Sequence, residues 1–310
     1  MAGDENKIKT VAVMGTTASG KSGLSVELSL IFNGEVISCD SAQVYRGPEI
    51  ATAKITKEEM KGVPHHLIDF ADPLSVYSCA DFRNDAGRVA EEIAGRDRLP
   101  VLCGGTGLYL DALFRAGEMS PGIPEGIRER LSLMSPDELW EKLAEVDPIS
   151  AEGIHRNNVR RVIRALEIFE GTGVTKTEWD ARSRKGNDRY SPLIIILTYR
   201  DRGALYEAVD RRVDGMVKAG LFEELEEWDL PRDCPMAGVI GCREGYLVID
   251  GKIPKSEGIE LIKKNTRNYA KRQLTWFSEN RYPDALRIYA EDGKTGREKA
   301  VEAVRRHLGA

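Results

Sequence analysis

The sequence predicts an α/β protein, a parallel sheet flanked by helices with an all-helical domain inserted into it. Three observations predict this. Short apolar runs at residues 11–14 (VAVM), 34–40 (GEVISCD) and 101–103 (VLC) alternate with helical spacing, the pattern of parallel strands joined by crossover helices. From about Glu118 to Tyr190 the apolar spacing is helical throughout. Residues 193–199 (LIIILTY) then form an apolar run that returns to the sheet as a fully buried strand. The division that follows is a core domain of residues 1–117 and 191–310 around an inserted helical domain of residues 118–190.

The first strand sets the character of the core. It runs into Gly15-Thr16-Thr17-Ala18-Ser19-Gly20-Lys21-Ser22, which fits G-x-x-x-x-G-K-[ST], and an amphipathic run at residues 24–30 follows. Strand, glycine-rich loop and helix in that order make a phosphate cradle, so the sheet is P-loop NTPase-like. Gly15 and Gly20 let successive N–H groups and a helix N-terminus face one anion; Lys21 adds a mobile charge, and the Ser22 hydroxyl can hold Mg²⁺. Any diphosphate or triphosphate suits such a cradle.

The second strand ends in Asp40. Strand carboxyl ends line the ligand crevice of a parallel sheet, so Asp40 belongs on the same rim as the loop. Residues 41–54 have the character of a loop, and residues 75–95 of a helix capped by Ser78 with Asp81 three residues on. Pro100 opens the third strand, which ends in Gly104-Gly105-Thr106. A motor-type ATPase would place an acid there for Mg²⁺ and water, so its absence weakens that reading.

The insert begins its clearest helix at Ser135-Pro136-Asp137-Glu138, an N-cap, a first-turn proline and a capping-box acid. Val159, Val162, Ile163, Leu166 and Phe169 share one helical face; Arg160, Arg161 and Arg164 lie off it, and Gly171 and Gly173 end that helix. In the C-terminal part, Leu205, Val209, Val213, Met216 and Val217 line a helix with Arg211 and Arg212 at its middle, stopped at Gly220. Ser256 is the expected cap of a long helix through Phe277, with Ile259, Ile262, Tyr269 and Trp276 in one stripe. Thr295 with Glu298 is the expected capping box of the last helix.

Composition narrows the class. The chain has 310 residues, 41% hydrophobic and 31% charged, with a net charge of −5, an ordinary globular balance with no basic footprint in the total. Cations nevertheless cluster at residues 156–164 and 263–281. The longest apolar run is too short for a bilayer and the first residues have no signal-peptide character, so a cytoplasmic protein with no membrane partner is expected. Five scattered cysteines, none in C-x-x-C spacing, point to reduced thiols and away from a zinc site.

Further motifs extend along nearly the whole chain: Ile37-Ser38-Cys39-Asp40-Ser41-Ala42-Gln43-Val44-Tyr45-Arg46, Thr52-Ala53-Lys54, Pro64-His65-His66-Leu67, Ala80-Asp81-Phe82-Arg83, Gly104-Gly105-Thr106-Gly107-Leu108-Tyr109 and Lys271-Arg272-Gln273-Leu274-Thr275-Trp276-Phe277. With the loop, these make the chain similar to the tRNA dimethylallyltransferases, the tRNA isopentenyltransferases or IPP transferases. The resemblance implies transfer of a dimethylallyl group from dimethylallyl diphosphate to N6 of the adenosine 3′ of the anticodon, with Mg²⁺ and without ATP consumption.

It also implies residue roles. Thr106 would lie near the adenosine and Arg212 would add a cation at the diphosphate. The tRNA anticodon stem-loop would meet Asp40, Ser41, Ala42, Gln43, Arg160, Arg161, Arg164, Gly241, Arg243, Lys271, Arg272, Gln273 and Thr275. Asp40 is the candidate general base for a weakly nucleophilic amine, with a Mg²⁺ or loop-capping carboxylate as the alternative. His65 and His66 are expected to be structural, and the protein to be a monomer. The sequence departs from the family pattern at Thr16, Ala51, Cys242 and Ser278, the last two in segments expected to touch tRNA. A small-molecule kinase, an enzyme prenylating free adenine nucleotides, and a non-catalytic RNA-binding switch are the rival readings; the basic clusters argue against the first two, and Asp40 and Thr106 against the third.

Overall fold

The computed structural model describes residues 7–115, 123–124, 126–183 and 188–309. β1 (Ile8–Gly15) leads through the glycine-rich loop into α1 (Lys21–Ile31), followed by β2 (Gly34–Ser38), α2 (Lys57–Met60), β3 (His65–His66), α3 (Cys79–Ala94), β4 (Leu99–Gly104) and α4 (Gly107–Phe114). Five helices come next: α5 (Ile127–Ser132), α6 (Pro136–Val146), α7 (Pro148–Gly153), α8 (Val159–Thr172) and α9 (Lys176–Ser183). β5 (Tyr190–Thr198), α10 (Arg202–Lys218), α11 (Leu221–Trp228), α12 (Cys242–Ile249), α13 (Lys255–Trp276), β6 (Leu286–Tyr289) and α14 (Gly293–Leu308) complete the chain.

The six strands form one sheet in the order β3-β2-β4-β1-β5-β6, and every pairing is parallel. This is the predicted α/β sheet. Val11, Ala12, Val13 and Met14 of the central β1 are all 0% exposed, so the strand is apolar on both faces because helices cover both. Its last residue, Gly15, has φ +137° and a Cβ there would lie 1.9 Å from the Leu197 carbonyl oxygen. Only glycine lets the chain turn out of the sheet that close to β5.

Two predicted caps form. Ser78 accepts from the Asp81 N–H at 3.2 Å and Asp81 accepts from the Ser78 N–H at 2.8 Å, and Ser135 and Glu138 do the same for α6. Each box stabilises its helix by about 1 kcal/mol. Two do not form. Thr295 lies inside α14, which starts at Gly293, and Ser256 lies inside α13, whose N-cap is Pro254. Gly173, in the left-handed region at φ 71°, caps α8, whereas Gly171 is still helical. The apolar strand after the helical stretch begins three residues earlier than its spacing suggested, so Tyr190, assigned to the insert, is the first residue of β5.

The chain divides into two compact units, residues 1–110 with 188–310, and residues 111–187. The expected boundary at residues 117 and 118 lies outside the described residues. The larger unit holds the sheet. The smaller has its own core of Leu131, Leu139, Leu143, Ala151, Ile154, Val162, Ile163, Ala165 and Leu166. In it, Asp147 takes the Ser150 and Thr177 N–H groups at 3.1 and 3.0 Å, which fixes the start of α7 against α9.

Candidate active site

The glycine-rich loop, the end of β2, the end of β4 and two C-terminal helices meet at one rim of the sheet. The loop is held from β5, where the Leu197 carbonyl accepts from the Thr16 N–H at 3.2 Å and Tyr199 Oη donates to the Ala18 carbonyl at 2.7 Å. Ala18 and Gly20 both take positive φ, at 61° and 87°, so the loop curls before α1 begins at Lys21. Ser19 Oγ closes the curl on the Thr16 carbonyl at 2.8 Å.

Lys21 reaches back to the same Thr16 carbonyl, with Nζ at 2.6 Å. Burial pulls its pKa down to about 8; Arg212 adds to this, while Cys103 and Asp40 oppose it. Arg212, on α10, is half-buried, with its guanidinium beside the Ala53 carbonyl at 3.5 Å. Burial lowers its pKa too, against the pull of Asp40 and Glu59. Two desolvated cations therefore share a site with one carboxylate.

Asp40 does two things at once. Its Oδ1 caps the following turn by accepting from the Ala42 and Gln43 N–H groups at 2.9 and 3.3 Å. Its Oδ2 has no hydrogen-bond partner among the described residues. The loop-capping role and an available basic oxygen thus coexist on one side chain. Thr106 stands beside it: Oγ1 accepts from the Ser41 N–H at 3.0 Å, and the Thr106 N–H donates to the Cys39 carbonyl at 3.2 Å. Gln43 turns inward to the Ala53 carbonyl at 2.9 Å.

The segment around Thr52-Ala53-Lys54 is rigidly held. Lys54 is buried and pairs with Asp69 and the Gly47 carbonyl, and one carboxylate, Glu224 of α11, accepts from the N–H groups of Glu49, Ile50 and Ala51 at 2.6 to 2.9 Å. Glu224 was not legible as part of the site, because in the sequence it is one acid in an acidic run. By its spacing Tyr269 belongs to a core stripe, and nothing in the sequence marks it for the site. Its hydroxyl donates to the Gly105 carbonyl at 3.3 Å, and burial with Asp40 nearby raises its pKa.

The residues expected at tRNA fall into two kinds. Lys271, Arg272 and Thr275 are exposed on α13, and Arg243 is exposed at the start of α12. In the smaller unit Arg160, Arg161 and Arg164 are exposed on α8, with Arg164 3.6 Å from Glu167. Gln273 is different: it is 4% exposed and its amide is spent inside the site. Gly241 is buried at φ 99° against the Ala51 carbonyl. Cys242, 0% exposed, packs in the cluster of Val44, Tyr45 and Ala51, so its departure from the family pattern is a matter of core packing. Burial pushes its thiol up to about 12. His66 is structural, bonded to Glu35 at 2.6 Å, and His65 Nδ1 lies 2.9 Å from the Val63 carbonyl two residues before it.

Comparison with known proteins decides the family. The model for "IPP transferase" matches residues 43–280. The chain belongs to the IPP transferase family. Among IPP transferase relatives, the tRNA dimethylallyltransferase of Halalkalibacterium halodurans is 47% identical over 280 residues, covering 87% of this chain and 88% of its own. That of Anoxybacillus flavithermus is 45% identical over 273 residues, 87% of each. The crystal structure of the tRNA isopentenylpyrophosphate transferase from Bacillus halodurans superposes with a TM-score of 0.72 at 41% identity, over 98% of this chain and 97% of that one. A eukaryotic dimethylallyltransferase captured acting on tRNA gives 0.84 at 27% identity, over 97% and 79%.

Proposed function

We propose that the protein transfers the dimethylallyl group of dimethylallyl diphosphate to N6 of the adenosine 3′ of the anticodon in tRNA, releasing diphosphate. The observation that carries this is the pairing of two half-buried, partly desolvated cations, Lys21 and Arg212, with an Asp40 carboxylate that keeps one oxygen unengaged. The cations suit a departing diphosphate; the carboxylate suits a proton leaving an amine.

The adenine N6 lone pair is delocalised into the ring, so attack gains from a base at the nitrogen. As the N6–C1 bond forms, the C1–O bond breaks, the electron pair leaves with diphosphate and the N6 proton passes to Asp40 Oδ2. Lys21, released from the Thr16 carbonyl, and Arg212 bind the developing charge. Gly15, Thr16, Thr17, Ala18, Ser19 and Gly20 supply the curled backbone. Thr106, already bonded to Ser41, holds the rim where the base would sit.

Mg²⁺ fits this donor set. The Ser22 hydroxyl, exposed at the start of α1 beside the phosphate loop, would supply one ligand to a small hard cation that takes the rest from phosphate and water. When bound it would neutralise diphosphate charge.

The target base must leave the anticodon stack to reach this rim. We assign phosphate contacts to Lys271, Arg272, Thr275 and Arg243, and to Arg160, Arg161 and Arg164 of the smaller unit, the inserted tRNA-binding domain. No helix among the described residues is long and apolar enough to cross a membrane, and a cytoplasmic monomer is the state we propose. The test is incubation with labelled dimethylallyl diphosphate and either unmodified tRNA or AMP, with labelled ATP in parallel. Label in tRNA is expected; label in AMP, or ATP turnover alone, overturns the reading.

A further inference from the structure

We propose that Gln273 is a positioning residue: its buried amide sets the distance between the phosphate loop and the Gly105–Thr106 turn, and so aligns the two substrates. This rests on the transferase reading above. Gln273 Oε1 accepts from the Thr17 N–H at 2.8 Å, and Nε2 donates to the Gly105 carbonyl at 3.1 Å. Among the described residues it is the one side chain bonded to both segments. The other bonds to residues 16–18 from outside residues 15–20 come from Lys21, β5 and Tyr199 and leave the turn untouched.

The turn is shaped to receive it. A Cβ on Gly105 would lie 2.1 Å from Gln273 Nε2, and one on Gly107 would lie 2.1 Å from the Trp276 ring. Both glycines let α13 approach within hydrogen-bonding range. The bridge needs one acceptor and one donor at fixed spacing, which an amide supplies and which neither an acid anion nor an aliphatic chain can. Transfer requires the attacking nitrogen and the allylic carbon to approach along one line, and a misplacement of about 1 Å costs on the order of 10²-fold in rate. The diphosphate is seated by the loop and the adenosine by the rim at Asp40 and Thr106, so a bridge between them governs rate more than affinity for either substrate.

The test uses the full chain and two variants. Gln273→Met removes both bonds at similar volume; single-turnover transfer at saturating substrates should fall at least about 30-fold, with Kd for an anticodon stem-loop RNA and for inorganic pyrophosphate within threefold of wild type. Gln273→Glu should match it at pH 8 and recover as pH falls towards 6. A protonated carboxyl accepts through its carbonyl and donates through its hydroxyl as the amide does, and burial brings that protonation towards neutral pH. Of the titratable and charged groups around it, Tyr269, which shares the Gly105 carbonyl, and Tyr199 are both raised by burial and stay neutral throughout, while Arg287, lining the same cavity, donates to the Phe277 and Tyr282 carbonyls. Wild type should show no such gain at low pH. Undiminished transfer in Gln273→Met, absence of recovery in Gln273→Glu, or equal losses in rate and both affinities would overturn the proposal. Hydrogen exchange at the Thr17 amide reads the bridge without activity: it should quicken in Gln273→Met, and unchanged exchange overturns the inference even where wild type transfers label. Failure of wild type to transfer label overturns the transferase reading instead.

Discussion

Lys21 enters the reaction from an unusual starting point, bonded to its own loop and desolvated so that its pKa is about 8. Free protein above that pH holds the amine mostly neutral, whereas an anion on the loop favours the ammonium. Binding prenyl diphosphate above pH 8 must therefore take up a proton, and affinity should fall up to about tenfold per pH unit between 8 and 10. Calorimetry in buffers of different ionisation enthalpy checks this, and Lys21→Ala should abolish the dependence. Asp40→Asn separates the two jobs of that side chain, since Asn keeps the oxygen that caps Ala42 and Gln43 and loses the base. Single-turnover transfer should fall about 10²-fold or more with RNA affinity nearly unchanged; a matching loss of affinity would count against the base. At this scale the glycine-rich loop and Asp40 were readable because their chemistry is local in sequence. Tyr269 and Glu224 were not, because what they bond lies far away along the chain.

Among the elements, α13 shows how one helix serves two surfaces. Its inner side carries Tyr269, Gln273 and Trp276, while Lys271, Arg272 and Thr275 face solvent. Lys271→Ala should weaken RNA binding and reduce the slope of log affinity against log salt by about one, with pyrophosphate affinity unchanged in calorimetry. The segment from Gly47 to Lys54 depends on another helix, because Glu224 alone satisfies three of its N–H groups. Glu224→Ala should cost about 2 kcal/mol in urea denaturation and lower transfer by loosening the Ala53 carbonyl beside Arg212. Capping boxes were legible where the acid follows the hydroxyl into an otherwise clear helix start, as at Ser78 and Ser135. At Thr295 the same letters fall one turn inside α14, because the turn at residues 290–292 already starts the helix. β3 and β6, of two and four residues, are too short for periodicity to reveal.

In the whole molecule, the sheet is held at its far edge by a charge cluster. Glu35, 3% exposed, receives His66, Arg96 and Arg98 at 2.6, 2.8 and 3.0 Å. Burial raises its pKa, but the bonds from His66 and Arg96 outweigh this and hold it below the ordinary value. A depressed carboxylate contributes stability that is present above its unfolded pKa and lost as pH falls through the folded one. Unfolding free energy should therefore hold near neutral pH and drop below about pH 4, and Glu35→Gln should lower it by about 2 kcal/mol at pH 7 while shrinking the acid drop. Alternation of apolar runs made the parallel sheet legible; the strand order was not, since it depends on pairings between distant segments. That order has a consequence for synthesis. Val11 pairs with Leu193 and Ile195 with Leu286, so β1 waits for roughly 180 residues, on the order of ten seconds or more of translation, before its second neighbour exists. Until then one edge of a strand whose Val11 to Met14 end up fully buried is open on the ribosome, and the nascent chain, more than the finished enzyme, is where a chaperone would be needed.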